Sequence, residues 1–166
     1  MTASFIPVSA KREWYGLALR HLRMASCLLS RGFSDGAAFH VYHGFECTLS
    51  ALITAMGYQV PPDGATHVDT SKGKRRVFAG PNGPVFEDST HSARLALFAE
   101  LADPSNHYSA TFRTLRTFLS PWQRNDTLYL DRRSHSLPHL RYSSAWAADA
   151  LIKVRVFSHE VWRDIR

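Results

Sequence analysis

Arg124 and Asn125 stand side by side in the run Arg124-Asn125-Asp126-Thr127-Leu128-Tyr129-Leu130-Asp131. A guanidinium next to a carboxamide can meet phosphate oxygens with its planar fork and hold a ribose hydroxyl with the amide. Metal-free RNA cleavage needs a base for the 2′-hydroxyl, a cation for the developing phosphorane and an acid for the leaving oxygen. Arg124 suits the cation and Asn125 the positioning group. Tyr129 is a poor base at neutral pH, because a phenol ordinarily titrates near ~10. His135 and His139 lie further along and reach the pair only if the chain folds back. The same dipeptide serves structure equally well, with Arg124 pairing a carboxylate or a helix end and Tyr129 packing in the core.

A second constellation is His40, His43 and Cys47, which fall on one face of a helix opposite Val41, Phe45 and Leu52. Their types would suit zinc. Ligands from one straight helix rarely converge on one ion, so no metal site is assigned. The spacing instead predicts that these residues, with Ser50 and Thr54, line a groove or a subunit contact. Lys72-Gly73-Lys74-Arg75-Arg76 is the one basic cluster; it reads as a solvated turn, or as a polyanion contact through Lys74, Arg75 and Arg76. Neither serine nor cysteine occupies a nucleophile elbow, and no glycine-rich phosphate loop follows a strand. The sequence implies no nucleotide cofactor.

The elements that must position these groups are mainly helical. At 166 residues, 45% of them hydrophobic, the chain suits one domain with a real core. Twenty Lys and Arg against fourteen Asp and Glu leave a net charge of +6, a balance that favours polyanionic partners. No run approaches the roughly 18 apolar residues of a membrane span. The N-terminus has no leader pattern and Cys27 and Cys47 are the only cysteines, so a cytoplasmic setting without membrane contact is expected.

Trp14, Leu17, Ala18, Leu22, Ala25, Leu28 and Leu29 recur at helical spacing, predicting a helix over about Ser9 to Leu29 that ends at Arg31-Gly32. Ser34 or Asp35 is expected to cap a second helix running to Met56 and stopped by Gly57, with Ala38, Val41, Phe45, Thr48, Leu49, Leu52 and Met56 inward. Four prolines and several glycines over residues 57–90 exclude a helix there and predict a long irregular insertion. Within it, residues 75–86 could form a small hairpin. Helical spacing returns over Arg94–Leu101 and from Tyr108 to Trp122. Ser120-Pro121 is a plausible helix start that would set Arg124 on an early turn, where free N–H groups favour anions. A last helix is expected from about His139 to Trp162, with Ala147, Ala150, Leu151, Val154, Phe157 and Val161 inward. Ile152 and Val156 fall off that stripe, suggesting a second buried face and a dimer.

Taken together, these segments resemble a HEPN domain, a helical module of bacterial toxins and defence proteins. Residues 14–57 look like its first two helices, and Phe45-Glu46-Cys47-Thr48-Leu49-Ser50-Ala51-Leu52-Ile53 is similar to its glutamate-containing second helix, with Ser50 where many members carry lysine. Arg124-Asn125 falls where the family's Arg-Asn or Arg-Asp pair sits, and Pro138-Tyr142 precedes a last helix as in many members. The resemblance covers about four fifths of the chain, omitting Val60–Ser89. It implies an all-α bundle of four to five helices with a long irregular insertion (58–90) between helices 2 and 3. It also implies RNA-directed action, such as that of a metal-independent endoribonuclease of a toxin–antitoxin or phage-defence system. The catalytic set would be Arg124, Asn125, Tyr129 and Glu46, and the substrate contacts Lys74, Arg75, Arg76, His43 and His135. A homodimer is implied, and a nucleotidyltransferase or antitoxin is a further expected partner. The family's active motif separates its arginine and histidine by four to six residues; Tyr129, Leu130 and Asp131 stand at the allowed positions instead. That departure favours an alternative, a non-catalytic dimerisation and interaction module.

Overall fold

Helix α1 (Ala10–Ser30) is closed by Gly32, whose φ of +82° only glycine adopts without strain. The Phe33 N–H donates to Leu28 O at 3.0 Å and the Gly32 N–H to Leu29 O at 3.1 Å, so the last carbonyls of α1 are satisfied as the chain reverses. Helix α2 (Ser34–Ala55) starts at once. Its N-cap is Phe33, which offers no side-chain bond; Ser34 and Asp35, the expected caps, already lie inside the helix. In the computed structural model, residues 10–56, 67–70, 73–80, 83–87, 95, 109–119 and 142–166 are described, the strands by backbone and register.

The insertion after α2 holds β1 (His67–Thr70), β2 (Gly73–Gly80) and β3 (Gly83–Glu87), an antiparallel meander in the order β1-β2-β3. Its place between the helices is as expected. Its content is more regular than the density of prolines and glycines suggested, because Gly80 and Gly83 close a β2–β3 hairpin and Pro84 sits on an edge strand, where a missing N–H is tolerated. An irregularity at Phe78/Ala79 shifts the register. Helices α3 (Ser109–Phe118) and α4 (Ser144–Ile165) follow. The Ser143 side chain accepts a bond from Trp146 N at 3.1 Å and caps α4, which therefore begins after the expected His139.

The core is built around α2. Leu22 and Ala18 of α1 meet Gly44, Leu28 meets Gly36, and Tyr15 stacks on Trp162 of α4, so α1 runs antiparallel to both α2 and α4. Phe45, Phe112 and Phe157 join α2, α3 and α4 through ring centroids 5.7–6.5 Å apart. Each such ring contributes roughly 1.5–3 kcal/mol by leaving water. The expected inward residues of α2 and α4 are buried, except that Met56 is only partly so. On α1 the stripe is narrower: Leu17 is 42% exposed, and Tyr15 takes an inward place not assigned from the spacing.

Candidate functional site

Glu46 lies within α2 and is 2% exposed. A carboxylate taken from water needs partners to offset its lost hydration. The Tyr42 hydroxyl donates to Oε1 at 3.3 Å, one turn earlier on the same helix. His43 Nδ1 stands 3.3 Å from Oε2. His43 also faces His21 of α1, with ring centroids 5.3 Å apart, and Phe39 packs edge-on against it at 4.4 Å.

His21 Nδ1 and His40 Nδ1 are 2.9 Å apart. One nitrogen must donate and the other accept, so the pair holds one proton between them and requires complementary tautomers. Protonating both rings would set two donors nose to nose. Burial, then the neighbouring His43, His40 and Arg20, push His21 down to about 4; Glu46 opposes them. Burial and His43 also lower His40. His21 and His40 are therefore a neutral imidazole pair beside the His43–Glu46 contact.

Part of this differs from the expected groove. Cys47 and Ser50 are buried in the core, and the Ser50 hydroxyl donates to Glu46 O at 3.0 Å, returning to its own helix. His40 and His43 instead turn half-buried toward α1, since His21 supplies polar and aromatic contacts there. No group of three or more metal-ligating side chains with suitable geometry occurs among the described residues.

Of the expected site residues, the structure brings Glu46 and His43 together. Lys74, Arg75 and Arg76 lie on β2, in register with Asp69, Val68 and His67. Arg124, Asn125, Tyr129 and His135 lie outside the described residues. Sequence spacing missed His21 as the partner of His40, because periodicity gives a residue's face and not what faces it. It also missed a cleft of about 280 Å³ between α1 and α4, whose lining includes Arg23, Arg155, Ser158 and His159.

This arrangement of helices has a counterpart among solved structures. The crystal structure of TT1696 from Thermus thermophilus aligns with a TM-score of 0.63 over 92% of this chain and 96% of that one, at 20% identity. The two share a fold. At that identity the likeness carries no function. No family model and no curated protein matches the chain. No helix among the described residues is long and apolar enough to cross a membrane.

Proposed function

We propose that the chain is a HEPN-like helical protein that acts on RNA, with Arg124 holding a phosphate, Asn125 orienting the reacting 2′-hydroxyl and Glu46 supporting the pocket. The observation that carries this reading is the buried Glu46 carboxylate on α2, held by Tyr42 and His43 beside a neutral histidine pair. A buried carboxylate costs more than an apolar residue of the same volume unless it organises its neighbours. A role in holding a basic or imidazole group for a polyanion accounts for that cost. The net charge of +6 agrees with such a ligand. Lys74, Arg75 and Arg76 on the meander would add contacts to the RNA backbone, and Tyr129 replaces the motif histidine.

The test is expression toxicity in bacteria together with RNA binding by purified protein, wild type against Arg124→Ala. Loss of one charge-assisted phosphate contact should weaken binding about ten- to hundred-fold with the helical signal unchanged. Tyr129→His should add metal-independent cleavage. An Arg124→Ala protein that is unstable, with RNA binding unaltered once folded, would overturn the reading.

A second reading, a non-catalytic module that dimerises or docks a nucleotidyltransferase or antitoxin, is favoured by one feature. Ile152 and Val156 stand 61% and 50% exposed on the outer side of α4. Under it, Ile152→Glu would abolish partner binding while Arg124→Ala would not.

A further inference from the structure

We infer that the α1/α4 cleft is a binding site for a phosphomonoester of nucleoside-monophosphate size. Its two walls differ in chemistry. Tyr15, Leu19 and Leu22 give an apolar side, while Arg23 reaches in from α1 and Arg155 and His159 from α4. Among the described residues, no acidic side chain lines the space. Neither arginine forms an ion pair with any described residue. Like charges brought together across a cleft repel, and an anion between them removes the repulsion while gaining bonds from two planar forks.

The lining also includes a buried hydroxyl. Ser158 is 1% exposed, and its Oγ lies 3.3 Å from the Thr48 hydroxyl, which itself donates to Gly44 O at 2.8 Å. Thr48 has spent its one proton on α2, so at that contact the Ser158 hydroxyl donates to Thr48 Oγ1 and has no proton left for an occupant, which leaves anion binding to the two guanidinium groups. A volume of about 280 Å³ lies just under the usual range of ligand pockets, roughly 300–1,000 Å³. It suits one phosphate and one nucleoside, with Leu19 and Tyr15 as the apolar contacts, and is too small for a dinucleotide. The phosphate could belong to a free nucleotide or to the end of an RNA strand; the recognising chemistry is the same. None of these residues belongs to the Arg124 site, so the inference stands apart from the proposed RNA chemistry.

The experiment is calorimetric titration of the full chain with the four nucleoside 5′-monophosphates, the matching nucleosides and inorganic phosphate, in wild type, Arg23→Gln, Arg155→Gln and the double variant. At least one monophosphate should bind, its nucleoside at least about tenfold more weakly, and each single variant should lose about ten- to hundred-fold. Both arginines are exposed, so circular dichroism should match wild type. The readout is monophosphate binding lost in the Arg23 and Arg155 variants, whereas the RNA reading is tested through Arg124→Ala, so the two can fail separately. A short 5′-phosphorylated RNA that competes, where its 5′-hydroxyl counterpart does not, assigns the phosphate to an RNA end; lack of competition assigns it to a free nucleotide. No binding by any monophosphate at millimolar concentration, or binding indifferent to the double variant, overturns the inference.

Discussion

At the scale of single residues, the His21–His40 contact makes the most direct demand on solution behaviour. An unfolded chain takes up a proton on His21 near 6.5, whereas the folded chain resists until about 4. In that window the unfolded state holds more protons, so stability is full above pH 7 and falls as pH drops from about 6.5 toward 4. The lowered His40 acts in the same direction. His21→Asn should flatten the slope of melting temperature against pH across this range, and thermal melts at a series of pH values would show it. An identical slope in variant and wild type would contradict the shared-proton geometry. Glu46 could be placed on the second helix from sequence alone, because its neighbours keep a strict helical spacing. Its burial and its contact with His43 could not, since a charged residue on an inner face reads as an exception until its partners are known.

Among the elements, the ends of α1 and α2 were legible because glycine punctuates them. The start of α4 was displaced because the capping serine, Ser143, stands in a run of several polar residues that could each serve. The meander was legible only as a hairpin, since its short strands lack a long alternating pattern. Among the described glycines the tightest place is Gly44, where a Cβ would come within 2.7 Å of Leu22 Cδ2 and 2.9 Å of Leu22 Cγ. Alanine elsewhere in a helix interior gains about 1 kcal/mol over glycine. Here Leu22 must move, and overpacking typically costs about 1–3 kcal/mol. Gly44→Ala should therefore fail to stabilise the protein in chemical denaturation; a gain near 1 kcal/mol would show that the α1/α2 seam is looser than described. At the centre, Phe157→Ala should cost about 3–5 kcal/mol in the same assay, because it removes the ring that touches both Phe45 and Phe112. The three strands contact chiefly one another among the described elements. Replacing residues 67–87 with a flexible linker should thus leave the helical signal and melting temperature nearly unchanged.

For the whole molecule, the arrangement of α1, α2 and α4 depends on pairings between distant segments, such as Tyr15 with Trp162 and Thr48 with Ser158. Periodicity told which side of each helix turns inward, and the short connection at Gly32 told that α1 and α2 pack together. Nothing in the sequence aligned Arg23 with Arg155, because residues on separate helices meet only through the packing of everything between them. Ile152 and Val156 were expected to leave the main stripe; they do, and no described residue covers them. Light scattering should give about twice the 18.7 kDa chain mass. Ile152→Glu with Val156→Glu should return a monomer of undiminished stability, since both side chains face outward. A wild-type monomer at tens of micromolar would remove the dimer from either functional reading.

The stacking of Tyr15 on Trp162, with centroids 4.5 Å apart and rings 16° from parallel, has an optical consequence. Tyr15 lines the α1/α4 cleft, and Trp162 meets the phenol ring without being one of the lining residues. An occupant that shifts the phenol alters the surroundings of the indole, so emission intensity should change on filling. The molecule would then carry its own dye, read without a label, and Trp162→Phe should silence the change while leaving calorimetric binding in place.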